Sequence, residues 1–251
     1  MRLLVLLRQL LDPAGMLVNR KAGKVFVNRE EYMINPADKR ALEAALQIKD
    51  TTGAEVVAAA VGPARTEDSL REARALGADR AIWIKEEHRD VAALAGRFYK
   101  ALCDSLGDVD LILTGDSALD TGEAVGPPLA EMMNMAFLGN AVQCTVEGTV
   151  VRIVRSGVRD ARQRVYSGVE ADLPAVVTVT RSGPTPRYPH GGAIIEMYRN
   201  PEAVEFMTAA DLGLDDSAMQ PTVVERGQSF PPEREFGRQM TVEEIANGVT
   251  P

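Results

Sequence analysis

A chain of 251 residues with 45% hydrophobic and 25% charged side chains can bury a full core as one large domain or as a domain with an appendage. Its formal charge of -8 and pI near 5.0 repel a phosphate backbone and argue against nucleic-acid binding, and the longest aliphatic runs, Leu3 to Leu7 and Val56 to Val61, fall far short of a membrane span. His88 and His190, the two histidines, have no second ligand at metal spacing, and Cys103 and Cys144 have no partner thiol. Zinc chemistry, histidine-based hydrolysis and a redox disulfide therefore find no support, and with no signal-like start the expected location is the cytoplasm.

Arg2 to Leu7 opens the chain as a short aliphatic run, the pattern of a strand buried on both faces. Leu17 to Asn28 follows as two alternating stretches around Lys21-Ala22-Gly23 and predicts a hairpin that decorates the first crossover. Pro36 to Thr52 puts Ala41, Leu42, Ala45, Leu46 and Ile48 on one side of a helix that Asn35 is suited to cap and Gly53 to end. Next come a strand at Val56 to Val61, a helix at Pro63 to Leu76, a strand at Arg80 to Ile84, a helix at Arg89 to Leu106 and a strand at Val109 to Thr114. Gly139 to Val146, Val150 to Ser156 and Ala161 to Val169 predict three antiparallel strands, joined by Glu147-Gly148-Thr149 and Gly157-Val158-Arg159-Asp160. Ala175 to Thr180 is one more buried strand. The alternation predicts an α/β fold with a parallel, Rossmann-like sheet that is covered on both faces and binds ligands at its strand ends. Beyond Thr180 the chain turns rich in Pro and Gly, then poor in core residues. Residues 1–189 are read as a nucleotide-binding domain and 190–251 as a docking segment and extended arm held by another subunit.

"TGDSALDTGEAVGPPLAEMM", Thr114 to Met133, sits where such a strand end meets a helix start. Small residues at Gly122, Glu123, Ala124, Val125 and Gly126 would let backbone N–H groups approach phosphate oxygens, helped by the helix dipole. An ordinary strand-to-helix turn explains the same pattern equally well. Asp116, Asp120 and Glu123 suit capping and loop orientation better than metal binding, since no second acid cluster or histidine accompanies them. Asn35-Pro36 reads as a helix cap, in a position that also suits contact with a ribose or phosphate. Trp83, Met132, Met133 and Met135 read as packing residues rather than flavin contacts.

Seven segments taken together carry a family resemblance: "MRLLVLLRQLLD", "INPADKRALEAALQIKD", "REARALGADRAIWI", "DLILTGDSALDTGEAVGP", "LPAVVTV", "PRYP" and "ADLGLD", in this order over most of residues 1–215. The chain resembles the beta subunits of electron transfer flavoproteins. The resemblance implies a heterodimer with an alpha subunit, an FAD carried mainly by that partner, and electrons passed between a dehydrogenase or NADH and another redox protein, with electron bifurcation in some members. It implies a chain that is not itself a catalyst and whose own site holds AMP or, in bifurcating members, a second FAD. By position that site takes Leu6, Asn35, Pro36, Ala37, Asp38 and Val61, with Asp120, Thr121, Gly122, Glu123, Ala124, Val125, Gly126, Pro127 and Ala130 from the loop. Val125-Gly126-Pro127 is closer to the bifurcating pattern and favours the second FAD, although the loop is one residue shorter. Gly191, Gly192, Ile194, Ile195 and Met197 fall on the family's docking loop for redox partners. There Gly191 replaces a leucine and "AIIEMYRN" lacks the usual lysines, which implies an unusual partner. The competing reading is an adenine-nucleotide-binding regulatory module of the universal-stress kind, which would have no use for the long tail. A free-standing nucleotide hydrolase ranks lower, for want of a base or nucleophile constellation.

Overall fold

The structure, a computed structural model, describes residues 1–87, 91–120, 122, 124–160, 163–215 and 219. In chain order the elements are β1 (Arg2–Leu6), β2 (Gln9–Leu11), β3 (Met16–Asn19), β4 (Lys24–Val27), β5 (Tyr32–Ile34), α1 (Pro36–Thr52), β6 (Glu55–Gly62), α2 (Thr66–Leu76), β7 (Arg80–Lys85), α3 (Val91–Leu106) and β8 (Leu111–Gly115). Then follow α4 (Gly126–Met133), β9 (Ala136–Glu147), β10 (Val150–Asp160), β11 (Gln163–Asp172), β12 (Ala175–Val179), α5 (Gly191–Arg199) and β13 (Glu205–Thr208).

One nine-stranded sheet runs in the order β11-β10-β9-β12-β8-β1-β6-β7-β13. From β9 to β13 every neighbouring pair is parallel, whereas β9, β10 and β11 form an antiparallel leaf. The alternation of each aliphatic strand sorts its side chains between two cores. Leu3, Val5 and Leu7 join Val56, Ala58 and Ala60 beneath α1 and α2. Leu4 and Leu6 join Val57, Ala59 and Val61 beneath α3 and α4, where Phe98, Tyr99 and Leu102 supply the bulk. Burial on both faces is what a continuous Leu/Val/Ala run requires, and each fully buried leucine contributes about 2–3 kcal/mol of transfer free energy.

Helix α2 starts at Thr66 rather than Pro63, because Pro63 to Arg65 form a turn in which Thr66 N donates to the carbonyl of Pro63. Strand β10 runs through Gly157 and Val158 to Asp160, so the connection to β11 does not lie at 157–160. Strand β9 is longer than the sequence suggests: left-handed Asn134 ends α4 and the chain enters the sheet at once, beside β12 and parallel to it. The hairpin at 17–28 is present as the β3–β4 ribbon, and a second small ribbon, β2–β5, forms its stem. Past residue 190 the chain does not leave the domain immediately. Strand β13 pairs with β7, Phe206 meets Trp83 edge-to-face, and Met219 is buried in the α3 core.

Candidate functional site

Crossovers from β1 through β6 to β7 step one way across the sheet, with α1 and α2 on one face. The connection through α3 then returns to β8, on the other side of β1 and over the opposite face. The loops after β1 and β8 therefore part in opposite directions. The crevice at the carboxyl ends of these strands is the topological switch point, where open α/β sheets take their ligands.

Leu6 and Val61 stand at this rim with side chains buried in the α3/α4 core. Asn35, Pro36, Ala37 and Asp38 make the first turn of α1. Asp38 is wholly buried, and its carboxylate accepts from Arg8 N (2.8 Å), Arg8 Nε (2.9 Å), Arg8 Nη2 (2.6 Å) and Gly115 N (2.7 Å). Four donors on one buried carboxylate repay its desolvation and fix the ends of β1 and β8 against α1. A Cβ at Gly115 would collide with this carboxylate and lie 2.6 Å from Ala37 Cβ, so the approach requires glycine. Asn35 does not cap α1. Its carboxamide donates to the carbonyl of Ser117 (3.0 Å), bridging to the β8 loop, and its Oδ1 is buried with no donor among the described residues. Tertiary geometry has taken the side chain that the local rule assigns to the helix end.

Across the crevice, Gly122 is left-handed (φ 71°), and its N–H is already given to the carbonyl of Ala118. Val125 occupies the N-cap position of α4 without a side-chain cap, so no acid caps this helix from there. Asp116 is half-buried and accepts a long 3.5 Å bond from Ser117 Oγ, and Asp120 is exposed. Gly126 passes over β12 so closely that a Cβ would lie 2.5 Å from Thr178 Cγ2. Ala124 and Pro127 are exposed at this rim, whereas Ala130 is buried one turn into the helix. Thr121 and Glu123 lie outside the described residues. Sequence reasoning missed Arg8, Gly115 and Thr114, whose Oγ1 is buried without a partner among the described residues. The only signal was an arginine directly after a buried strand.

Helix α5 carries Gly191, Gly192, Ile194, Ile195 and Met197, the residues expected to dock a redox partner. His190 is its N-cap, with Nδ1 accepting from Gly192 N (3.2 Å). The helix lies on α2, where Arg71 donates to the carbonyls of Met197 and Asn200 and packs over Tyr198. Gly191, Gly192, Ile194 and Ile195 are exposed and Met197 is half-buried. The preceding segment is pinned by Arg187, bonded to Glu43 and Asp50, while Tyr188 between Arg187 and Pro189 is 95% exposed. Burial pushes the thiols of Cys103 and Cys144 up to about 12, so neither is a thiolate at neutral pH.

A doubly wound sheet with a glycine-lined crevice at its switch point defines the class: an α/β protein built like those that seat nucleotides. Residues 23–205 match the electron transfer flavoprotein domain, and the chain belongs to that family. It is 30% identical to the electron transfer flavoprotein subunit beta of Bacillus subtilis, over 95% of this chain and 91% of that one. It is 30% identical to the caffeyl-CoA reductase-Etf complex subunit CarD of Acetobacterium woodii, over 99% and 96%. With the acryloyl-CoA reductase electron transfer subunit gamma of Anaerotignum propionicum it shares 30%, over 80% and 76%. Membership assigns the chain to electron transfer beside a flavoprotein partner subunit, and the stand-alone regulatory reading is not favoured. Among the described residues no helix is long and apolar enough to cross a membrane.

Proposed function

We propose that the chain is the beta subunit of a cytoplasmic heterodimeric flavoprotein whose own crevice, between the first turns of α1 and α4, holds an adenine nucleotide. The observation that carries this reading is the Asn35 carboxamide, 1% exposed, with its nitrogen bonded to Ser117 and its oxygen lacking a donor among the described residues. A buried acceptor left unmade costs about 1–3 kcal/mol, and a ribose hydroxyl or an adenine amino group would satisfy it. Pro127 and Pro128 carry no N–H, so the oxyanion donors on the α4 side fall to Ala124, Val125 and Gly126. The Asp38–Arg8 clamp holds the opposite wall in place.

Of the two candidates, Val125-Gly126-Pro127 favours a second FAD over AMP. A flavin there would supply a two-electron acceptor for hydride, while this chain's residues bind and orient it. The main FAD is assigned to the alpha subunit. Helix α5 is read as the surface that meets the dehydrogenase or other redox protein, with Ile194, Ile195 and Met197 as apolar anchors. Residues 190–251 are read as this docking segment and an arm packing on the alpha subunit, of which 220–251 lie outside the described residues. Denaturing the purified heterodimer and identifying what is released tests the site. Two flavins per heterodimer supports the second FAD, one flavin with one AMP reverses that choice, and neither in excess of one flavin removes the nucleotide site.

A further inference from the structure

From Arg187 to Asn200 no residue is buried, although the chain is anchored on either side by Gly183 and Ala203. Helix α5 takes up most of this stretch and buries none of its nine residues. A helix this short is not stable by itself in water, and its first two residues, Gly191 and Gly192, are poor helix formers. Apolar packing holds it weakly, with Ala193 and Met197 half-buried. Beneath it, between α2, the β2–β5 ribbon and α5, lies a cavity of about 430 Å³ lined by Met33, Ser69 and Ala75 on one side and Pro189, Ile194 and Tyr198 on the other.

What holds the stretch is charge at its two ends. At the first, the Glu43 carboxylate on α1, 5% exposed, accepts from Arg187 N (3.0 Å), Nε (2.9 Å) and Nη2 (3.2 Å), and Asp50 takes a further bond from Nη2 (2.8 Å). At the second, Arg71 of α2, itself bonded to Glu67, donates to the carbonyls of Met197 and Asn200, and the Tyr198 hydroxyl donates to Asp68 (3.2 Å). The bonds to buried Glu43 are the strong ones, whereas Asp50 and Asp68 are exposed and theirs are screened by solvent. Between the two fasteners α5 is a hydrogen-bonded rod, from Ile194 N on the carbonyl of His190 (3.2 Å) to Asn200 N on that of Glu196 (3.0 Å), and Pro189 stiffens the link to Arg187. A rod held at its ends moves at both when either is freed.

We propose that residues 187–200 are a strap that opens and closes as one unit, with Glu43 and Arg71 as the fasteners that keep it shut over the cavity. Segments with few buried apolar contacts and exposed hydrogen bonds are the ones that open locally, at far less cost than global unfolding. The strap is a property of this chain and stands whether or not α5 meets a redox protein. On that reading, opening takes Ile194 and Ile195 out of their fixed presentation, so the fasteners set how often the docking surface is formed.

Amide hydrogen exchange of the full chain in its purified complex tests this. In the wild type the amides from Tyr188 to Asn200 should exchange with one common opening constant, faster than those of α1, α2 and β1. Glu43→Gln should speed exchange about tenfold over the whole strap, Met197 to Arg199 included, and Arg71→Met should do the same at Tyr188 and Gly191, with the amides of β1 and β6 unchanged in both. Tyr198→Phe removes one exposed hydroxyl, leaves the fold intact and should give a smaller rise over the same span. A rise confined to the end that was altered, no rise in any variant, or wild-type exchange as slow as that of β1 overturns the strap. If Glu43→Gln and Arg71→Met also speed β1 and β6, Tyr198→Phe decides: a rise from Tyr188 to Asn200 upholds the strap, and a rise at Tyr198 alone overturns it. Variants that open the strap yet pass electrons to the redox protein at the wild-type rate uphold it and remove the docking reading instead.

Discussion

At the first turn of α1 a wholly buried carboxylate, Asp38, gathers three N–H groups of Arg8 and one of Gly115, whereas α4 starts from Val125, whose side chain offers no cap, and two prolines follow Gly126. Both turns face one crevice. The α1 wall is completed by protein alone, through a charged network that locks three elements. The α4 wall is shaped by close packing at Gly126. On the proposed reading, a nucleotide would find one wall fixed by the protein and would complete the other.

The largest effect should come from breaking the fixed wall. Asp38→Ala removes the carboxylate that accepts from three N–H groups of Arg8 and one of Gly115, while the Arg8 guanidinium, only 14% exposed, keeps the carbonyl of Gly115 (3.2 Å) among its partners. The expected loss is about 3–5 kcal/mol of stability, read from urea denaturation of the purified protein. A loss comparable to that of an exposed ion pair would mean that the clamp is not what fixes α1.

Gly115→Ala comes next. The added Cβ meets the Asp38 carboxylate and Ala37, both held by the clamp and unable to retreat, so about 1–3 kcal/mol should be lost, together with nucleotide retention. Gly126→Ala should cost less, about 1 kcal/mol, because Thr178 Cγ2 is a side-chain methyl with some room to move and alanine gains helix propensity over glycine. Equal losses at the two glycines would erase the difference between the walls.

The frame of this site could be read in the sequence because it rests on local pattern. Arg2 to Leu7, Val56 to Val61 and Ala175 to Thr180 are aliphatic on both faces, and that alone implies buried parallel strands with helices on either side. The clamp could not be read this way. Arg8 and Asp38 are thirty positions apart, and only the finished crossover brings them together. Asn35 illustrates the same limit, since the preference of Asn for an N-cap is a local rule, and the carbonyl of Ser117 becomes available only once β8 is in place. Strand β13 is four residues long and follows a stretch rich in Pro and Gly. Its place at the sheet edge depends on β7, Trp83 and the Arg80–Glu205 pair, none of which is local to it.

That pair repeats the chemistry of the clamp at the surface, and so measures what burial adds to it. Arg80 Nε and Nη2 donate to the Glu205 carboxylate at 2.7 and 2.8 Å, with side chains 34% and 44% exposed. The arginine hydrogen bond holds the Glu205 carboxyl below its ordinary value of 4.5, against the opposing effect of partial burial. A depressed folded-state value means that the stabilisation is complete above the unfolded value and disappears as the pH falls through the folded one. Solvent screening keeps the contribution under about 1 kcal/mol. Glu205→Gln should therefore cost a small amount at pH 7, and that cost should vanish in acid. Amide exchange at Phe206 and Met207 should rise as the pH falls, after correction for intrinsic rates. A Glu205→Gln effect at pH 7 as large as that of Asp38→Ala would show that geometry rather than burial sets the strength of such pairs in this protein.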